Sequence, residues 1–297
     1  MINTGRMGMA AVLVATVGLG LHLNAGVSDA SVHGCNEQWN QPSESGQGDG
    51  DPAAPDPGGA SGAALTEVFD NFDGPVGAPP DPDRWTVIEG KGWDRGSQKY
   101  TADNALLDGQ GHLVLQAQRT DDGYTSGRVE TRRKQSFGYG TLIVRMKMPA
   151  GKGLWPALWL MGDDEDVNPW PGAGEIDVVE QVSNPRKRYS SLHGPIVGVP
   201  DYLQKQIVGS GPDLSADFHD YWVIHKPYSI AVGIDDKTWG TFTPDSLPPT
   251  AKWVYNKPFC LIMNLAVGGK WPGPPDDSTI FPASMLVDWV HWQPALG

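Results

Sequence analysis

Cysteine is scarce in this chain of 297 residues: there are two, Cys35 and Cys260. That excludes a disulfide-built scaffold and, with no His/Cys cluster in the sequence, a zinc site of the usual ligand spacing. Cys35 lies in a polar stretch, whereas Cys260 sits in "PFCLIMNLAV", which reads as an interior strand. A bridge between them would tie a tail to a core, so Cys260 is expected as a buried thiol. Positive charge is also short: 22 Lys and Arg stand against 35 Asp and Glu, a net charge of -13. Nucleic acid and anionic membrane surfaces are thereby poor partners, and sulfated or uronic polymers are disfavoured. A neutral polymer suits the balance better. No apolar run beyond the N-terminus is long enough to span a bilayer, and no long stretch carries helical periodicity.

The N-terminus does carry an apolar run, from about Met7 to Leu23, preceded by Arg6 and followed by the small residues Ala25 and Ser28 to Ala30. A basic flank, a short apolar segment and small residues make a secretory signal, so residues 1–30 are expected to direct export, outside the cell or to its envelope. Residues 31–64 include "NQPSESGQGDGDPAAPDPGGASGAA" and hold almost nothing that can be buried; they read as a linker. "VHGC" before Cys35 faintly resembles a lipid-attachment site, but it stands far from the apolar run. The folded domain is expected over residues 65–297, as a monomer.

Within that domain the segments "HLVLQAQ" (112–118), "TLIVRMKM" (141–148), "YWVIHKP" (221–227) and "FCLIMNLAV" (259–267) are rich in strand-forming residues, with Gly, Pro, Asp and Asn clusters between them. From Ile143 on, Arg145 and Lys147 alternate with Val144, Met146 and Met148, the pattern of a half-buried antiparallel strand. Strands without intervening helices predict an all-β fold: a β-sandwich jelly roll of two antiparallel sheets.

One strand breaks the pattern. "GEIDVVE" (174–180) places three carboxylates in an otherwise apolar, β-branched segment. Alternation puts Glu175 and Asp177 on one face and sends Ile176 and Val178 to the other, leaving Glu180 on the wrong side. One extra residue, a bulge at Val178–Val179, returns Glu180 to the acidic face. A merely solvated strand face is the plain alternative. It is disfavoured by like-charge repulsion, by the lack of a basic residue in the segment and by Trp155, Trp159 and Trp170 nearby. Two carboxyls brought together, one ionised and one holding its proton, are what retaining hydrolysis of a glycosidic bond needs.

The segment resembles the catalytic strand of family 16 glycoside hydrolases in its bulged Glu-x-Asp-x-x-Glu form. "QKYTADNALLDGQGHLVLQAQ", "GKGLWPALWLMG", "WPGAGEIDVVE", "LHGP" and "NLAVGGKWPGPP" are similar to the laminarinase-type endo-β-1,3-glucanases of that family. The resemblance implies a sandwich with a concave substrate cleft. It implies Glu175 as nucleophile, Asp177 as its assistant and Glu180 as acid/base. It implies Trp155, Trp159, His193, Asn104, Arg128, Asn264 and Trp271 as glucan contacts, and a neutral β-glucan as partner. No cofactor is implied for catalysis; Asp288 in "MLVDWVHW" resembles an aspartate that holds a structural calcium. Transglycosylation, another β-glucan or galactan, or a glucan-binding lectin on the same fold are the alternatives, although such lectins usually lack the two glutamates kept here.

Overall fold

A computed structural model describes residues 66–92, 95–198 and 201–296. The expected signal segment, the linker and Cys35 lie outside the described residues. Among those described, the only helical elements are two three-residue 3-10 turns, Ala102–Asn104 and Pro244–Ser246, and no helix is long and apolar enough to cross a membrane.

Two sheets form a sandwich. The seven-stranded sheet holds β1 (Thr86–Val87), β2 (Arg128–Glu130), β3 (Leu154–Gly162), β4 (Glu175–Glu180), β5 (Lys187–Pro195), β6 (Tyr202–Ser210) and β7 (Phe259–Val267). Their order across the sheet is β6-β5-β4-β3-β7-β2-β1, so the acidic strand β4 lies well inside it. The second sheet has eleven strands, and its middle is built by Leu113–Thr120, Ala283–Pro294, Gly140–Lys147 and His219–Lys226. Among the described residues all strand pairings are antiparallel except one. Gln98–Tyr100 runs parallel to Gly123–Ser126, where a wholly antiparallel sandwich was expected.

The alternation in the sequence sets which side of each strand is buried. In Gly140–Lys147 the residues Leu142, Val144 and Met146 are buried, while Ile143, Arg145 and Lys147 are half-exposed on the outer face. The inner face meets Leu158, Leu160, Ile176, Leu261 and Met263 of the seven-stranded sheet in one apolar core. Strand β7 is buried along its whole length. Leu261 and Met263 face the core, whereas Cys260 and Ile262 join Ala157, Trp159 and Met161 in a second cluster on the opposite face. Cys260 is thus buried, as its surroundings in the sequence imply.

The bulge in β4 is visible in its pairing on both sides. Along β3, Leu158 faces Val179 and Trp159 faces Asp177, so Val178 has no counterpart. Along β5, Asp177 faces Ser191 and Glu180 faces Tyr189: three steps on one strand against two on the other. Both Val178 and Val179 consequently enter the main core, and Glu180 turns to the face of Glu175 and Asp177. Since each valine is fully buried, Val178→Ala and Val179→Ala should each lower unfolding free energy by about 2 kcal/mol in urea titrations. A near-zero effect at either one would place that side chain outside the core and contradict the bulge.

Candidate active site

The face of the seven-stranded sheet that turns away from the core carries Trp155, Ala157 and Trp159 from β3. Beside them lie Glu175, Asp177 and Glu180 from β4, Tyr189 and His193 from β5, and Ile262 and Asn264 from β7. Gly174 enables the entry into β4. It has φ +74°, and a Cβ there would stand 2.9 Å from Val254 Cγ2 and 3.3 Å from the ring of Tyr255.

All three carboxyls are buried. Each glutamate accepts one indole N–H: Trp170 Nε1 donates to Glu175 Oε2 and Trp155 Nε1 to Glu180 Oε1, both at 2.8 Å. Asp177 hydrogen-bonds Glu175. His193 Nε2 lies 3.1 Å from Asp177 Oδ2 and 4.0 Å from Glu175 Oε1. Asp177 Oδ2 accepts no hydrogen bond. Burial drives the electrostatics. It pushes Asp177 up to about 7, against the hydrogen bond from Glu175. It pushes Glu180 well above the ordinary carboxyl range. The charge of Asp177 and, more weakly, that of Glu175 add to this, and the Trp155 hydrogen bond opposes it. Glu180 is therefore the carboxyl pushed toward its protonated form, beside the hydrogen-bonded pair Glu175 and Asp177. This is a proton donor next to a candidate nucleophile.

Aromatic side chains line both ends. On the Glu180 side, Trp271 meets Trp155 and Tyr189 edge-on, with ring centroids 5.3 and 4.7 Å apart, and is 38% exposed. On the Glu175 side, Tyr202 of β6 lies 4.7 Å from Trp170 and 5.8 Å from the imidazole of His193. Beneath them Trp159 is buried, donates to Asn264 Oδ1 at 2.7 Å, and has the Arg128 guanidinium 5.1 Å from its ring centroid. Arg128 in turn meets Glu130 at 3.2 Å. The side chain of Asn264 also bonds the Tyr100 hydroxyl, which burial holds up at about 12.

Two expected site residues stand apart. Asn104 is buried in a 3-10 turn; its Nδ2 donates to the Gln116 carbonyl at 2.7 Å and its Oδ1 accepts from Thr101 at 2.6 Å, so it locks that turn onto the neighbouring strand. Asp288, expected at a calcium, lies 3.2 Å from Arg145 Nε.

Trp170, Tyr189 and Tyr202 were not expected as site residues. Trp170 had a signal in its place five residues before Glu175. Tyr202 had none, because nothing local says that an edge strand reaches the carboxylates. The loop bearing Trp170 opens with four acids, Asp163 to Asp166, held by cations from elsewhere in the chain. Arg132 binds Glu165 and Asp166, Arg133 meets Asp166 at 2.6 Å, and Lys257 meets Asp164 at 2.6 Å. The Arg132–Glu165 pair is buried.

Because Glu180 and Asp177 titrate higher in the folded chain than unfolded, the folded state holds extra protons and stability falls as pH rises from about 4 through 7 and beyond. Glu180→Gln removes part of that fall. Its melting temperature should exceed the parent's at pH 8 by on the order of 5 °C, with the gap closing toward pH 4. Parallel curves for the two proteins would mean that Glu180 is not held protonated.

Similarity to known proteins extends over the region that holds these residues. The model of "Glycosyl hydrolases family 16" matches residues 93–291. A beta-glucanase of Rhodothermus marinus is 36% identical over 230 residues, 71% of this chain and 79% of that protein. A glucan endo-1,3-beta-glucosidase of Cryptopygus antarcticus is 33% identical over 241 residues, 72% of this chain and 84% of that protein. Among solved structures, the laminarinase catalytic domain of Thermotoga maritima MSB8 superposes with a TM-score of 0.70 at 31% identity, covering 77% of this chain and 98% of that one.

Proposed function

The chain belongs to glycosyl hydrolases family 16, and from that premise we propose that it is a retaining endo-β-1,3-glucanase acting on laminarin-like polymers. The observation that carries the reading is the trio of carboxyls on one strand face, with Glu175 oriented by the Trp170 indole, Glu180 by the Trp155 indole, and burial raising Glu180 above the ordinary carboxyl range. The names of the relatives, a beta-glucanase, a glucan endo-1,3-beta-glucosidase and a laminarinase, supply the substrate class. The net charge of -13 agrees with a neutral polymer.

The reaction proceeds in two displacements. Glu175 attacks the anomeric carbon while Glu180 gives its proton to the departing glycosidic oxygen, leaving a glycosyl ester on Glu175. Glu180, now ionised, takes a proton from water; that water attacks the same carbon and frees Glu175. Two inversions restore the β configuration. Asp177, hydrogen-bonded to Glu175, tunes the charge of the nucleophile without making a bond to the sugar. The indoles of Trp155 and Trp170 fix the rotamers of the two glutamates, and the exposed Trp271 offers a face for a pyranose ring. The apolar N-terminal segment supports export to where such polymers occur.

Glu175→Gln should abolish laminarin hydrolysis. Glu180→Gln should nearly abolish it, yet still turn over a glucoside with a very good leaving group when azide is added, giving the β-glycosyl azide. Asp177→Asn should be milder than either. Agar should not be cut by the parent. Proton NMR of fresh digests should show the β-anomer first. An α-anomer would indicate inversion and remove Glu175 from its role as nucleophile.

A further inference from the structure

We propose that Glu175, Asp177 and His193 form a binding site for a single divalent transition-metal ion, copper(II) or zinc, whose occupancy switches the cleft off. Each residue offers one ligand atom, and the three atoms lie within 4.8 Å of one another; among the described residues this is the sole such group. Ligand atoms around a four-coordinate ion with bonds of about 2.0–2.2 Å stand roughly 3.3–3.6 Å apart. The 3.1 Å from His193 Nε2 to Asp177 Oδ2 and the 4.0 Å to Glu175 Oε1 bracket that spacing, so small side-chain rotations suffice.

A second observation points to a guest. Asp177 is 3% exposed, and its Oδ2, aimed at the imidazole, accepts no hydrogen bond. A buried oxygen without a donor is costly, and a cation relieves that cost. Glu175 is already oriented from outside the trio: its Oε2 holds the Trp170 indole N–H at 2.8 Å while Oε1 is the oxygen nearer His193. An outer donor of this kind is how protein ligands to metals are usually steadied. One imidazole and two carboxylates select a borderline ion such as copper(II) or zinc, whereas calcium and magnesium prefer shells made wholly of oxygen. As the ion enters, the proton between Glu175 and Asp177 leaves to solvent, and the positions the protein does not fill take water.

Loss of activity on binding rests on the function proposed above, because the ion engages the nucleophile; binding itself does not. Copper(II) titrated into the full chain should give one ion per chain by calorimetry. Its electron paramagnetic resonance spectrum should carry the hyperfine pattern of a single imidazole nitrogen. His193→Gln should weaken that binding at least tenfold and remove the nitrogen coupling. His219→Gln, whose imidazole pairs with Asp235 at 2.9 Å, should change neither. If His193→Gln does not fold by circular dichroism, Asp177→Asn serves, with the same weakening and the nitrogen coupling retained. No one-to-one binding in the parent, or unchanged affinity in a folded His193 or Asp177 variant, overturns the site. Zinc should inhibit laminarin hydrolysis competitively, with recovery on adding a chelator. Binding without any laminarin hydrolysis in metal-free protein would overturn the proposed function and leave the site standing.

Discussion

Three acids on one face of an interior strand repel one another and lose their water. The fold around β4 is arranged to tolerate that. The extra residue at Val178 lets two valines enter the core while Glu180 stays on the acidic face, so burial of the carboxyls is coupled to core packing on the other side of the same strand. The remaining repulsion is met by protons rather than by counter-cations. The trio has indole N–H groups, a shared proton and a nearby imidazole. A salt bridge to Arg or Lys would hold the acids ionised and make none of them a proton donor. The guanidinium of Arg128, on the ring of Trp159, is instead engaged with Glu130.

Cations are spent one layer further out. The acidic run Asp163 to Asp166 is clamped by Arg132, Arg133 and Lys257, and this run begins the loop that ends at Trp170 and Glu175. Removing one partner of the buried Arg132–Glu165 pair would leave an uncompensated charge, typically costing about 3–5 kcal/mol. The orientation of Glu175 thus depends on an ion-pair cluster that lies outside the carboxyl trio.

What the sequence disclosed, and what it withheld, follows from the range of the interactions involved. Strand alternation is local, so Gly140–Lys147, Phe259–Val267 and the displaced Glu180 were readable from side-chain order alone. Trp155, Trp159 and Trp271 were readable as a group, but not that Trp159 would lie buried under Arg128 while Trp271 stays exposed. Asn104 matched a motif, yet its amide is consumed by Thr101 and Gln116, a contact that depends on how a turn docks onto a neighbouring strand. The clamp on the acidic run Asp163 to Asp166 had no local signal, because its cations lie 33 to 93 positions away. The parallel pairing of Gln98–Tyr100 with Gly123–Ser126 was hidden for the same reason.

The complete burial of β7 bears on how such a protein can diverge. A strand with one free face can change its substrate contacts without disturbing the interior. Here the middle of the sheet is held from both sides, with Leu261 and Met263 gripped by one cluster and Cys260 and Ile262 by another. Any substitution there alters packing as well as the cleft floor. Descendants of this sequence can therefore retarget most readily at the periphery, in the loops that carry Trp170 and Trp271 and on the edge strand that carries Tyr202, while the floor behaves as inherited hardware.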